Sequence, residues 1–234
     1  MLPAEINKII DIPDSQSKVP VKIIDAEFIY NFIKKNNLKK TLETGFAHGR
    51  SAAYIMAATN NTHIANDAFQ EAEFKNVGLE NIKKLGLIDL LDFRNELSHV
   101  MLPKLLADNR KFDFIFLDGD HKFDGEFIDF FYCDLMLEDK GYILLHDTWL
   151  RSTQYLIKYI EKNRKNYQRI QTPIKNICLF QKVGEYERNW LHFKEFITFR
   201  SFIKFHFVTW INKNNKNPIR ILLFKLKNII KGNK

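Results

Sequence analysis

Several residues in this 234-residue chain stand where side chains can do chemistry, at the ends of apolar runs. Glu43 lies in Thr41-Leu42-Glu43-Thr44-Gly45. Asp67 follows the run from Thr62 to Asn66, and Asp118 follows Phe112 to Leu117. Asp147 follows Tyr142-Ile143-Leu144-Leu145 and His146. Asp118 and Asp147 facing one cleft would suit, together with waters, a hard divalent ion such as Mg2+. Such an ion would hold a hydroxyl and lower its pKa. His121 lies three residues after Asp118. A neutral imidazole can take a hydroxyl proton near pH 7, so His121 is the candidate general base beside Asp118. The plainer alternative is that Asp118 and Asp147 only bind substrate or cap loops. Gly45 permits a tight turn after a strand, and Gly49 lets a helix begin close to a ligand. The free N–H groups of that helix would favour a carboxylate or phosphate. Asp67 comes 22 residues after Gly45, where an acid commonly takes a ribose hydroxyl pair.

The elements that must position these groups alternate. The pattern predicts helices over 25–37, with Asp25 as N-cap, and over about 49–58. A mostly helical stretch covers 69–85, and a short helix over 102–108 has Pro103 in its first turn. Further helices are expected over 123–137 and 152–163. Strands are expected at 41–45, 62–66, 90–93, 112–117 and 142–145, then an antiparallel pair, 167–172 and 176–181, around Pro173. Near-continuous apolar strands indicate a sheet buried on both faces. Right-handed crossovers then give a doubly wound, mostly parallel α/β sandwich, whose ligands bind at the carboxyl ends of the strands.

The stretch Leu42-Glu43-Thr44-Gly45-Phe46-Ala47-His48-Gly49-Arg50-Ser51 is spaced E-x-G-x-x-x-G. It resembles the class I S-adenosylmethionine-dependent methyltransferases, and most of all their small-molecule O-methyltransferases. Phe112 to His121 and Gly141 to Thr148 resemble the signature of one O-methyltransferase branch, similar to the catechol and macrolide-sugar enzymes. The resemblance covers roughly residues 40–183. It implies a Rossmann-like, seven-stranded sheet with an antiparallel last strand, and S-adenosylmethionine as cofactor. It also implies roles: Glu43, Gly45, Gly49 and Ser51 around the methionine moiety, Asp67 at the ribose, Ser98 near the adenine. In catechol-type relatives a lysine base holds the place of His121. In cation-dependent relatives the acids matching Asp118 and Asp147 are metal ligands, and an Asn or Asp directly follows the second. Thr148 stands there in this chain, a poorer ligand, so metal-assisted and metal-free versions both stay open. His146 could compensate as a ligand or point into the sheet. Asp129 and Asp134 read as solvated or capping charges, and His48 and His99 as solvated loop residues.

Composition separates a body from an appendix. Residues 184–234 hold eleven Lys and Arg against three acids, so the whole net charge of +8 sits in that stretch. Phe196, Phe199, Ile203, Phe207 and Trp210 share a helical face. Asn217-Pro218 opens a second helix with a basic remainder. For 190–210 the expectation is packing on the body or on a second copy of the chain, as a homo-oligomer. For 218–234 it is peripheral contact with an anionic membrane or a partner. No nucleic-acid motif accompanies the charge. The two cysteines, the start of the chain and the lack of a long apolar run suit a cytoplasmic protein. The expected domains are therefore 1–183, a methyltransferase domain, and 184–234, a basic aromatic helical extension. The expected activity is methyl transfer to a hydroxyl of a small molecule, sugar or glycan. The rivals are a nicotinamide-dependent oxidoreductase, disfavoured by the absent G-x-G-x-x-G, and a non-catalytic membrane-peripheral adaptor.

Overall fold

The apolar runs form seven strands of one sheet in a computed structural model of the chain. The structure describes residues 1–186 without a break, then 189, 191–200, 203, 207, 210 and 218. In chain order the elements are α1 (Pro3–Ile9), α2 (Ile23–Asn36), β1 (Thr41–Thr44), α3 (Arg50–Thr59), β2 (His63–Asn66), α4 (Val77–Lys84) and β3 (Leu91–Arg94). They continue with α5 (Ser98–Ala107), β4 (Phe112–Leu117), α6 (Phe123–Met136), β5 (Leu137–Leu145), α7 (Arg151–Asn163), β6 (Tyr167–Ile170) and β7 (Cys178–Lys182).

The strand order is β3-β2-β1-β4-β5-β7-β6. β1 pairs in parallel with β2 on one side and β4 on the other, setting Glu43 against Ala65 and Phe116. β7 runs antiparallel to both β5 and β6, as expected around Pro173. The chain steps outward from β1 to β3 and then returns to β4 beside β1. Such a reversal opens a crevice at the carboxyl ends of the two central strands.

Both faces of the sheet are covered. On β4, Phe114 and Phe116 join a cluster with Ile29, Ile33 and Tyr54 from α2 and α3. Ile115 and Leu117 point the other way, into a cluster with Leu102, Phe130 and Leu156 from α5, α6 and α7. This two-sided burial is why the strands read as continuous apolar runs. α2 and α3 each end on an asparagine in the left-handed region, Asn37 and Asn60, a residue that tolerates that conformation.

Four local expectations need correction. Phe69 to Asn76 is a series of turns, because Lys75 and Asn76 both take positive φ, and the helix begins only at Val77. α5 begins at Ser98, so Pro103 lies inside it and not in its first turn. Lys22, not Asp25, is the N-cap of α2, and Asp25 is buried in the helix's first turn. β5 begins at Leu137, five residues earlier than its apolar run. The short α1 was not anticipated; its buried Ile6 joins the core.

The chain divides into two compact units, Met1–His192 and Phe193–Lys234. The two helices expected within 190–234 fall mostly outside the described residues. Among the described residues no helix is long and apolar enough to cross a membrane.

Candidate active site

The crevice begins at the bend after β1. Gly45 has φ +84°, and a Cβ there would stand 2.2 Å from the backbone oxygen of Asp118. Only glycine lets the ends of β1 and β4 come this close without a shift in the backbone. Two residues on, Ala47 also takes a positive φ. Asp67 braces it: its Oδ2 accepts from Ala47 N and its Oδ1 from Phe69 N, each at 2.8 Å. Gly49, with φ +74°, is the N-cap of α3. The first turn of that helix leaves N–H groups without intrahelical partners.

A cavity of about 450 Å³ opens over this bend, within the usual range for a small-molecule site. Gly45, Ser51, Asp67, Ser98, Asp118, His121 and Asp147 all line it. Gly49 supports the loop without lining the cavity. Glu43 does not reach the cavity either. It is fully buried in β1, with His63 Nε2 at 3.6 Å. Burial pushes its carboxyl above the usual range, and His63 and Ser51 draw it back by less. Both of its carboxyl oxygens are buried without a hydrogen-bond partner. Asp67 lines the cavity, yet three of its roughly four acceptor positions already serve the loop, the third taken by the Gln70 amide at 3.3 Å.

The acid corner is built around a residue of uncertain direction in the sequence. His146 Nδ1 lies 2.9 Å from Asp118 Oδ1 and 3.4 Å from Asp147 Oδ1. Its Nε2 lies 3.2 Å from Asp25 Oδ2, reaching a side chain 121 residues away. Burial alone would lower the imidazole pKa, but Asp118, then Asp25 and Asp147, raise it to about 10. His146 is therefore a buried imidazolium among three carboxylates, not a free metal ligand. Asp118 is pushed up by burial and pulled down by His146. Asp147 lies below the usual range: burial opposes this, and the Asn176 amide, His146 and the Trp149 indole outweigh it. Asn176 Nδ2 and Trp149 Nε1 each donate to Asp147 Oδ1 at 3.0 Å.

His121 Nε2 stands 3.6 Å from Asp147 Oδ2 at the mouth of this corner, 44% exposed. Asp118, His121 and Asp147 each bring one ligand atom within 4.8 Å of the others. Thr148 does not join them, because its hydroxyl donates to Lys175 O at 2.8 Å. The donor set fits a divalent ion, with two carboxylates and an imidazole in place of a third oxygen residue.

Three polar residues read as solvated are buried. His48 has no exposed surface, and its Nε2 meets Gln16 Oε1 at 2.8 Å. Asp134 accepts from Arg164 Nη2 at 2.6 Å and from the Tyr167 hydroxyl at 2.9 Å. Asp129 is 2% exposed on the inner side of α6. Phe130 and Cys133, one and four residues after it, are core residues, a spacing that could have signalled an inward face. Nothing local to Asp25 or Asn176 could have linked them to His146.

Residues 42–148 match the model of a methyltransferase domain. Caffeoyl-CoA O-methyltransferase 1 of Eucalyptus globulus is 31% identical over 99 residues, which cover 41% of this chain and 40% of that protein. A putative caffeoyl-CoA O-methyltransferase of Arabidopsis thaliana is 28% identical over 134 residues, covering 57% of this chain and 56% of that protein. The chain thus spans about two-fifths to just over half the length of these curated relatives. An O-methyltransferase from Bacillus cereus, solved in complex with SAH, superposes with a TM-score of 0.62 at 14% identity, covering 78% of this chain and 90% of that one. The O-methyltransferase TomG from Streptomyces achromogenes, solved with SAM, gives 0.61 at 16% identity, covering 78% and 88%. With its glycine bend and acid corner on one crevice, the stretch from residue 42 to residue 148 is similar to a methyltransferase domain, and the sheet around it has the fold of the O-methyltransferases it superposes on.

Proposed function

We propose that this chain transfers the methyl group of S-adenosylmethionine to a hydroxyl of a small molecule, sugar and glycan hydroxyls included. The observation that carries the reading is a single cavity lined both by the glycine bend and by the Asp118–His121–Asp147 corner. The bend fits the cofactor's amino-acid end: Gly45 and Ser51 line the cavity, and the start of α3 offers N–H groups to a carboxylate. Asp67 and Ser98 line the same cavity and would meet the nucleoside.

The cofactor supplies an electrophilic methyl carbon on a sulfonium. The protein's work is then alignment and removal of a proton. On transfer of that methyl group to the acceptor oxygen, the hydroxyl proton would pass to His121 Nε2. Asp147, 3.6 Å away, stabilises the imidazolium that forms. In the metal-assisted version Asp118, Asp147 and His121 would hold a divalent ion, which would lower the acceptor's pKa. His121 would then be a ligand and not the base.

Calorimetry with S-adenosylhomocysteine tests the reading, and absence of binding at high micromolar ligand would sink it. His121→Ala should retain that binding while turnover of an accepted hydroxyl compound falls about a hundredfold or more. An unchanged rate removes His121 from the mechanism. EDTA separates the two versions: activity lost and restored by added Mg2+ or Mn2+ makes His121 a ligand, and activity retained makes it the base.

A further inference from the structure

The cavity is rich in acids, yet the cofactor it is read to hold brings a carboxylate of its own. Asp67, Glu73, Asp118, Asp120 and Asp147 all line it. Four basic side chains stand against them: His48, Arg50, His121 and Lys122. Two of the four already face an acid. His121 Nε2 lies 3.6 Å from Asp147 Oδ2, and Lys122 Nζ lies 3.8 Å from Asp120 Oδ1. His48 is kept neutral, because burial and then the neighbouring Arg50 lower its pKa.

Arg50 is the basic residue left over. Among the described residues it has no carboxylate partner, and its one hydrogen bond runs from Nη1 to Val21 O at 2.7 Å. Val21 lines the cavity too, so this bond ties the guanidinium to the wall. Nε is enclosed without a partner, whereas Nη2 is neither bonded nor enclosed. Arg50 is also the first residue of α3, and Ser51 follows it on the cavity. Guanidinium, hydroxyl and the free N–H groups of the first turn are thus adjacent in the chain. An anionic group entering among five acids is repelled except where a cation is uncommitted. A guanidinium taken partly out of water without a counter-ion is costly in turn, and a ligand carboxylate relieves that cost.

We propose that Arg50 is a specificity-determining residue of the cofactor cavity: its guanidinium pairs with the carboxylate of the cofactor's amino-acid end and selects ligands that carry this group. The same pairing fixes which end of the cofactor lies at the start of α3 and turns it away from the acid corner. The inference rests on the methyltransferase reading, because it needs the cofactor's carboxylate in this cavity.

The test is calorimetry with two ligands, S-adenosylhomocysteine and its decarboxylated form, which keeps the amine and the nucleoside. Wild type should bind the intact ligand more tightly by about ten- to hundredfold, the usual worth of a hydrogen bond to a charged group. Arg50→Met removes the charge and keeps much of the side chain's length. It should weaken S-adenosylhomocysteine by about the same factor and bind the decarboxylated ligand no worse than wild type does. Equal losses for the two ligands mean that Arg50 acts through Val21 and the shape of the cavity, and they overturn the proposal. So does an unchanged affinity of Arg50→Met for S-adenosylhomocysteine, or a wild type that does not distinguish the ligands. Arg50→Lys keeps the proposal falsifiable if Arg50→Met folds poorly. It retains the charge without the planar fork, so it should lose roughly three- to tenfold for the intact ligand only. A loss shared by both ligands, or none for either, overturns the proposal there as well. A wild type that binds neither ligand is a different failure, of the methyltransferase reading itself.

Discussion

Replacing His146 by leucine should destabilise the fold by about 3–5 kcal/mol, the usual loss when one partner of a buried ion pair is removed. The side chain is of similar size, so the loss is mainly electrostatic. Asp25, 1% exposed, and Asp118 would be left without their cation. The Asn176 amide would keep Asp147 but could not neutralise the pair. The pH dependence follows from linkage. The imidazole pKa is about 10 in the folded chain, above its ordinary value of 6.5. The stabilisation it contributes is thus complete below about pH 6.5 and is lost as pH rises through about 10. Urea unfolding should show wild type weakening across that window and His146→Leu changing little over it. Asp25→Asn should cost less, because Asp118 and Asp147 still face the ring. A His146→Leu loss under about 1 kcal/mol at neutral pH would mean that the imidazolium does not hold the corner together.

The same residue shows where sequence reading stops. The sheet is legible because each central strand is apolar on both faces, and Phe112–Leu117 announces itself by composition alone. The strand ends are legible too, since Asp67, Asp118 and Asp147 follow those runs directly, and all three line the cavity. What the linear pattern cannot express is a partner from another element. Asp25 looks like a helix cap until α2 packs beside β5 and brings it to His146. Asp129 looks solvated until the inward face of α6 is fixed by Phe130 and Cys133. Thr148 sits in a ligand's place in the chain, but the Asn176 segment turns its hydroxyl to Lys175. Local dihedrals escape in the same way: Lys75 and Asn76 end a run of turns where the apolar spacing suggested a helix. The positions of the strand-end acids were therefore more visible than the buried polar contacts that hold them.

Gly45→Ala should damage both stability and binding. At φ +84° an alanine costs about 1–2 kcal/mol for its left-handed backbone. Its methyl would also stand 2.2 Å from Asp118 O and 2.7 Å from the carbonyl carbon. Both are backbone atoms of the neighbouring strand end, so no flexible side chain can move aside. Forcing them apart adds about 1–3 kcal/mol, as other overpacked sites do. The movement falls on the two walls of the cavity at once, the bend that would hold the cofactor and the peptide that carries Asp118. Affinity for S-adenosylhomocysteine should therefore drop by about tenfold or more even at temperatures where the variant stays folded, which is about 1.4 kcal/mol of binding energy. Gly86 supplies the control. It also has a positive φ, +66°, but a Cβ there meets nothing within 4 Å. Gly86→Ala should show the backbone cost in thermal unfolding and leave binding unchanged. If Gly45→Ala binds as wild type does, the cofactor does not lie over this bend, and the close approach of β1 to β4 serves only the packing of the sheet.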